Sequence, residues 1–184
     1  ASPDDFSETL TPAQLGTLVE LAEAGLARGL APSDFELSDF RSPELDAAVQ
    51  RWRDEVFKGR GFVLLRGIPV DRLDLPTLEA LYFGLGRHFG DAVSQSNLGD
   101  RIGHVTDVGG KDRRERAYRN SRELTLHTDR CDVVGMLCVR KADEGGRSGY
   151  TSAHAIFNAM LEERPDLLAP LIEGFPYHRF GEQP

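Results

Sequence analysis

An α+β fold built around an antiparallel sheet is what the order of hydrophobic patterns predicts. Apolar residues recur at helical spacing from Leu15 to Leu26, from Leu45 to Phe57 and again from Leu78 to Phe89. Short apolar runs beside glycines lie at residues 61–67 and 133–139; the first is too short for a helix and carries strand formers at Phe62 and Val63. Strands of this kind close into a jelly roll, whose open mouth can hold a metal pair. His127 and Asp129 stand just before the second run.

Length and charge bound the classes of function. At 184 residues the chain is of single-domain size and can bury a core. Its 22 Lys and Arg against 30 Asp and Glu leave a net charge of −8, which repels nucleic acid and anionic membranes. No early window has the form of a signal peptide, and no apolar run approaches the ~20 residues that span a bilayer, so a cytoplasmic location is expected. Cys131 and Cys138 are the two thiols. Joined by one strand they lie about 23 Å apart, too far to pair, and they suit a reducing compartment.

Residues 1–9 are polar and predicted to be frayed. Thr11-Pro12-Ala13-Gln14 then supplies an N-cap, a first-turn proline and a capping-box glutamine. The helix that follows carries Leu15, Leu18, Val19, Ala22 and Leu26 on one face and stops by Gly29 and Pro32. Ser42-Pro43 repeats the start signal, and Leu45, Ala48, Val49, Trp52, Val56 and Phe57 line a second helix, which makes Trp52 a core residue. Residues 61–67 are a predicted buried strand. Asp74 and Pro76 open a third helix with Leu78, Leu81, Tyr82, Leu85 and Phe89, ended by Gly90. Its glycines at 84, 86 and 90 imitate a dinucleotide motif, but the last spacing is one residue too long and they close a helix instead of opening one.

The pattern dissolves over residues 91–122, apart from a brief strand expected at 102–105. A loop of that length in a compact domain is commonly either disordered or the lid of a site. Within it Arg113, Arg114, Arg116, Arg119 and Arg122 suit the gripping of a carboxylate, although solvated charges need no ligand. After the run at 133–139 come a Gly145-Gly146-Arg147-Ser148 turn, a helix capped by Ser152 with Ile156, Phe157, Met160 and Leu161 on one side, and a short helical segment restarted by Pro165.

Side chains of an extended backbone alternate faces, so His127 and Asp129 point the same way and can reach one ion. A neutral imidazole and a carboxylate suit a borderline divalent metal, and a second histidine completes the triad that leaves iron(II) open positions for substrate and oxygen. A His-x-Asp alone is equally an ordinary surface turn; its neighbours give it meaning.

Those neighbours form an ordered succession: Gly-Phe-Val-Leu-Leu-Arg-Gly, a helix ending Leu-Gly-Arg-His-Phe-Gly, a loop, Leu-His-Thr-Asp, an apolar strand, Gly-Gly-Arg-Ser and a Ser-capped helix. From about Gly61 to Ile172 this resembles the taurine-dioxygenase-like family of iron(II)- and 2-oxoglutarate-dependent oxygenases. The resemblance implies a cupin-like double-stranded β-helix with flanking helices, incomplete in this chain. Residues 1–184 are then one oxygenase domain and the N-terminal portion of a longer protein: 1–60 a helical lead-in, 61–184 the first part of the jelly roll with its lid at 91–122.

It further implies His127 and Asp129 as the first two iron(II) ligands and Ser148, where the family usually has threonine, as the hydroxyl on a 2-oxoglutarate carboxylate. Asn120 and Arg122 lie where such enzymes meet the primary substrate. The implied partners are 2-oxoglutarate, O2 and a small polar substrate, an amino acid or related acid, with succinate and CO2 released. Nucleic acid and membranes are not expected partners, and a homo-oligomer is compatible. The third ligand and the arginine for the far carboxylate are expected downstream, because His154 falls inside a predicted helix, His178 comes too early, and His88 and His104 precede the pair. By itself this stretch is expected to be inactive. Two other readings stay open: a jelly-roll binding protein that has lost its triad, and a cupin-type metal hydrolase or isomerase acting without oxygen or keto acid.

Overall fold

Capping side chains decide where the helices of the N-terminal half begin. In the computed structural model, which describes residues 5–95, 99–106, 124–129 and 131–176, the Thr11 hydroxyl accepts the Gln14 N–H while Gln14 Oε1 accepts the Thr11 N–H. This reciprocal box starts α1 (Pro12–Ala27). Ser42 accepts from the Leu45 N–H at the head of α2 (Pro43–Phe57), and Asp74 from the Thr77 N–H at the head of α3 (Leu75–Arg87). Each start has a proline in its first turn, where the missing N–H costs no helical hydrogen bond. All three caps are the residues that the sequence predicts.

The chain divides into two compact units, Ala1–Arg140 and Lys141–Pro184. In the first, α3 packs on α1 and on two 3-10 turns, Pro32–Asp34 and Leu37–Phe40, while α1 also packs on α2. Leu18 and Ala22 of α1, Leu45, Val49 and Trp52 of α2, and Leu81 of α3 are buried around Phe35 and Phe40. The two phenylalanines lie against bare backbone. A Cβ on Gly84 would stand 2.2 Å from Phe40 Cδ2, and one on Gly25 would stand 2.2 Å from Phe35 Cε1. Gly84, the first glycine of the nucleotide-like sequence, is therefore a packing glycine.

The strands depart from expectation. Ser7–Thr9 is not frayed: it forms β1, parallel to β2 (Leu64–Arg66) in the register Ser7↔Leu64, Glu8↔Leu65, Thr9↔Arg66. A parallel pair needs a long crossover, and α1 and α2 provide it. Phe6 and Phe62 meet edge to face at 5.1 Å beside the pair. Glu8 accepts hydrogen bonds from Trp52 Nε1 and Arg51 Nη2, both at 2.9 Å, which supplies the buried indole with its partner. β2 is shorter than predicted and not buried, with Leu64 40% exposed. Residues 102–105 and 133–139 form no strand. Among the described residues the sheet has two parallel strands, so neither the expected antiparallel sheet nor the jelly roll is present there; an apolar run stays irregular where no neighbouring strand satisfies its backbone.

In the second unit Ser152 caps α4 (Ala153–Glu163) by accepting the Ala155 N–H. A 3-10 turn, Pro165–Leu167, leads into α5 (Leu168–Glu173), whose Leu168 is buried. No helix among the described residues is long and apolar enough to cross a membrane.

His88 caps α3 and is buried, with Nε2 2.6 Å from the Phe40 carbonyl oxygen. A carbonyl only accepts, so Nε2 carries the hydrogen. Burial holds the imidazole below the ordinary histidine pKa, and Arg41 and Arg53 push the same way, against the Phe40 hydrogen bond and Asp46. The unfolded chain then binds this proton more readily than the folded one, so stability is full above about pH 6.5 and falls as pH drops below it. The urea midpoint is expected to follow that course, and His88→Gln to remove this part of the slope while leaving the carboxylate losses at lower pH. Gly84→Ala raises helix propensity yet drives a methyl into Phe40; it is expected to destabilise by about 1–3 kcal/mol in urea denaturation.

Candidate functional site

Residues 124–129 are exposed and carry neither helix nor strand. Their backbone nevertheless sets the state of one side chain. His127 Nδ1 lies 2.7 Å from the carbonyl oxygen of Thr125, an acceptor, so Nδ1 holds the hydrogen and a neutral ring keeps its lone pair on Nε2. A histidine that donates one ring N–H to a backbone carbonyl is in the arrangement typical of metal ligands. Asp129, one residue beyond Thr128, is exposed and makes no hydrogen bond or ion pair among the described residues. An imidazole nitrogen and a carboxylate oxygen, both open to solvent, fit two protein positions on a borderline divalent ion such as iron(II). Among the described residues no group of three His, Cys, Asp or Glu is placed to hold a metal, so the third position is not filled there.

Downstream, Cys131, Val133 and Leu137 are half-buried among exposed neighbours, in a segment that bends at residues 131–132 and 139–140. The Tyr82 hydroxyl of α3 donates to the Gly135 carbonyl at 2.7 Å. Burial raises the Tyr82 pKa, which keeps the phenol a donor. Helical spacing marks Tyr82 only as a residue on the apolar face of α3. The signal for more was chemical, a phenol among aliphatic side chains, since such a hydroxyl needs a partner.

Ser148 is in the second unit, exposed, after a turn in which Gly145 (φ 73°) and Gly146 (φ 64°) both occupy the left-handed region that favours glycine. Both cysteines are free, Cys131 half-buried and Cys138 exposed. His154 lies on α4, as predicted, and His104 Nε2 is 2.6 Å from Glu79 Oε1. Asn120, Arg122, the other four loop arginines and His178 lie outside the described residues.

The profile of the taurine catabolism dioxygenase TauD, TfdA family matches residues 24–183, and the chain belongs to that family. Among curated relatives it is similar to the FR-33289 synthase of Streptomyces rubellomurinus, 29% identical over 170 residues that cover 91% of this chain and 50% of that protein. It is also similar to a taurine hydroxylase-like protein of Stachybotrys chartarum, 26% identical over 186 residues, 96% of this chain and 48% of that protein. The chain thus spans about half the length of the curated relatives it matches. A cupin-like fold is what the family implies.

The Thr125 carbonyl makes one tautomer of His127 the expected one. Imidazole 15N–1H spectra at pH 8 should show the hydrogen on Nδ1; a ring protonated on Nε2 contradicts the contact.

Proposed function

We propose that the whole protein carrying this chain is an iron(II)- and 2-oxoglutarate-dependent dioxygenase that hydroxylates a small polar molecule, an amino acid or related acid. The observation that carries this reading is the 2.7 Å contact of His127 Nδ1 with the Thr125 carbonyl oxygen, which turns Nε2 away from the backbone two residues before the open carboxylate of Asp129 in a chain of this family. One relative's name, taurine hydroxylase-like, supports hydroxylation as the outcome. In net terms one oxygen atom of O2 enters a C–H bond of the substrate, the other enters succinate, and 2-oxoglutarate loses CO2.

Bound iron(II) supplies the dioxygen chemistry that no side chain offers. The chain's own residues bind and orient. His127 gives its Nε2 lone pair while the Thr125 carbonyl fixes the ring, and Asp129 gives an anionic oxygen that offsets the ion's charge. The Ser148 hydroxyl donates to a carboxylate of 2-oxoglutarate, with one methyl less than threonine. Asn120 and Arg122 meet the primary substrate, where a guanidinium pairs with a carboxylate in two parallel hydrogen bonds. In this reading residues 1–184 are the first part of one domain whose double-stranded β-helix is completed by chain outside this sequence, which also brings the third ligand and the arginine for the far carboxylate. The protein is cytoplasmic, in keeping with its two free thiols.

His127→Ala and Asp129→Ala, made separately in the whole protein, are expected to weaken iron(II) binding by at least ~10-fold and to abolish iron-dependent succinate release, since loss of a metal-bound group costs no less than loss of its supporting partner. Iron affinity and succinate formation unchanged in both variants would overturn the assignment.

A further inference from the structure

We propose that Tyr82 is a positioning residue for the His127 and Asp129 pair, acting through the carbonyl of Gly135; the proposal rests on the metal-binding reading above. α3 is held by buried Leu78, Leu81 and Phe83, so the Tyr82 ring stands on a rigid support with its hydroxyl at the far end. That hydroxyl donates to Gly135 at 2.7 Å. The backbone of Gly135 also lies on the ring itself, since a Cβ there would be 3.4 Å from the Tyr82 oxygen and 3.5 Å from Cε2.

Residues 131–139 need such an anchor. They form no helix or strand, and among the described residues they make no backbone hydrogen bond of their own. Their placement on the helical unit then depends on half-buried Cys131, Val133 and Leu137, and on the tyrosine. The chain bends at residues 131–132 and 139–140 and is irregular between them, so nothing in its own backbone fixes where it lies. Half-buried side chains tolerate a shift along the surface far better than a directional hydrogen bond does. Pinning Gly135 fixes the position of the chain that begins two residues after Asp129. Without the pin, part of the population presents the ligands displaced, and apparent metal affinity falls in proportion to the competent fraction that remains.

The experiment is a Co(II) titration of the whole protein, followed by visible absorption, with thermal melts of the same samples. Tyr82→Phe keeps the ring and removes only the donor. Gly135→Val keeps its Cβ at ordinary contact distance from the ring and adds two methyl groups that crowd the hydroxyl from the exposed side. Each variant is expected to bind Co(II) about five-fold more weakly, equal to about 1 kcal/mol, with a changed Co(II) band and a melting temperature close to that of a His104→Gln control. The control loses a contact on the same helix and is expected to bind as wild type. Wild-type affinity and band in both Tyr82→Phe and Gly135→Val overturn the proposal, and a lowered melting temperature with unchanged affinity does the same by assigning the tyrosine a merely structural role. If His127→Ala binds Co(II) as tightly as wild type, the metal-binding reading falls and this inference with it; weak binding by His127→Ala beside normal binding by Tyr82→Phe removes only the role of Tyr82.

Discussion

Two phenylalanines packed into bare helix backbone hold the first unit together. Phe40 lies where a side chain on Gly84 would be, and Phe35 lies where one on Gly25 would be. Helices can pack closely on an intervening aromatic ring only if something small faces it, and here that something is glycine. The stretch that carries the two rings, Phe35 just after the turn Pro32–Asp34 and Phe40 at the end of the turn Leu37–Phe40, is thereby wedged against α1 and α3. Everything the unit presents outward, including the tyrosine that reaches Gly135, is referenced to that wedge.

Around the wedge the polar groups follow from burial. Trp52 is almost fully enclosed and finds Glu8 for its N–H, which draws β1 onto α2. His88 is enclosed at the end of α3 and gives its N–H to Phe40, so the ring that Gly84 admits is also tied through its own carbonyl. Arg53 donates to the His88 carbonyl and closes that end of the helix. Buried donors without partners cost about 1–3 kcal/mol each, and these arrangements avoid that cost.

At the candidate metal pair the controlling interaction is smaller and local. A single carbonyl, Thr125, selects the ring nitrogen that carries hydrogen and so the one that can bind an ion. His127 and Asp129 are both exposed, and the segment that follows meets α3 through the Tyr82 hydroxyl at Gly135.

The division between sequence and tertiary structure follows the range of the interactions. Thr11, Ser42, Asp74 and Ser152 were legible as caps because each hydrogen bond closes within three residues, and burial of Trp52 was legible because helical spacing repeats along one face. The family was legible in the ordered succession of motifs from Gly61 to Ile172, of which the His-x-Asp and Gly-Gly-x-Ser patterns are two members. Pairing of β1 with β2, the seat of Phe40 on Gly84 and the bond from Tyr82 to Gly135 were not legible, since each joins residues far apart whose match depends on where whole helices come to rest. Local hydrogen bonding and periodicity are written in neighbouring residues; contacts across the chain exist only after the core has chosen its packing.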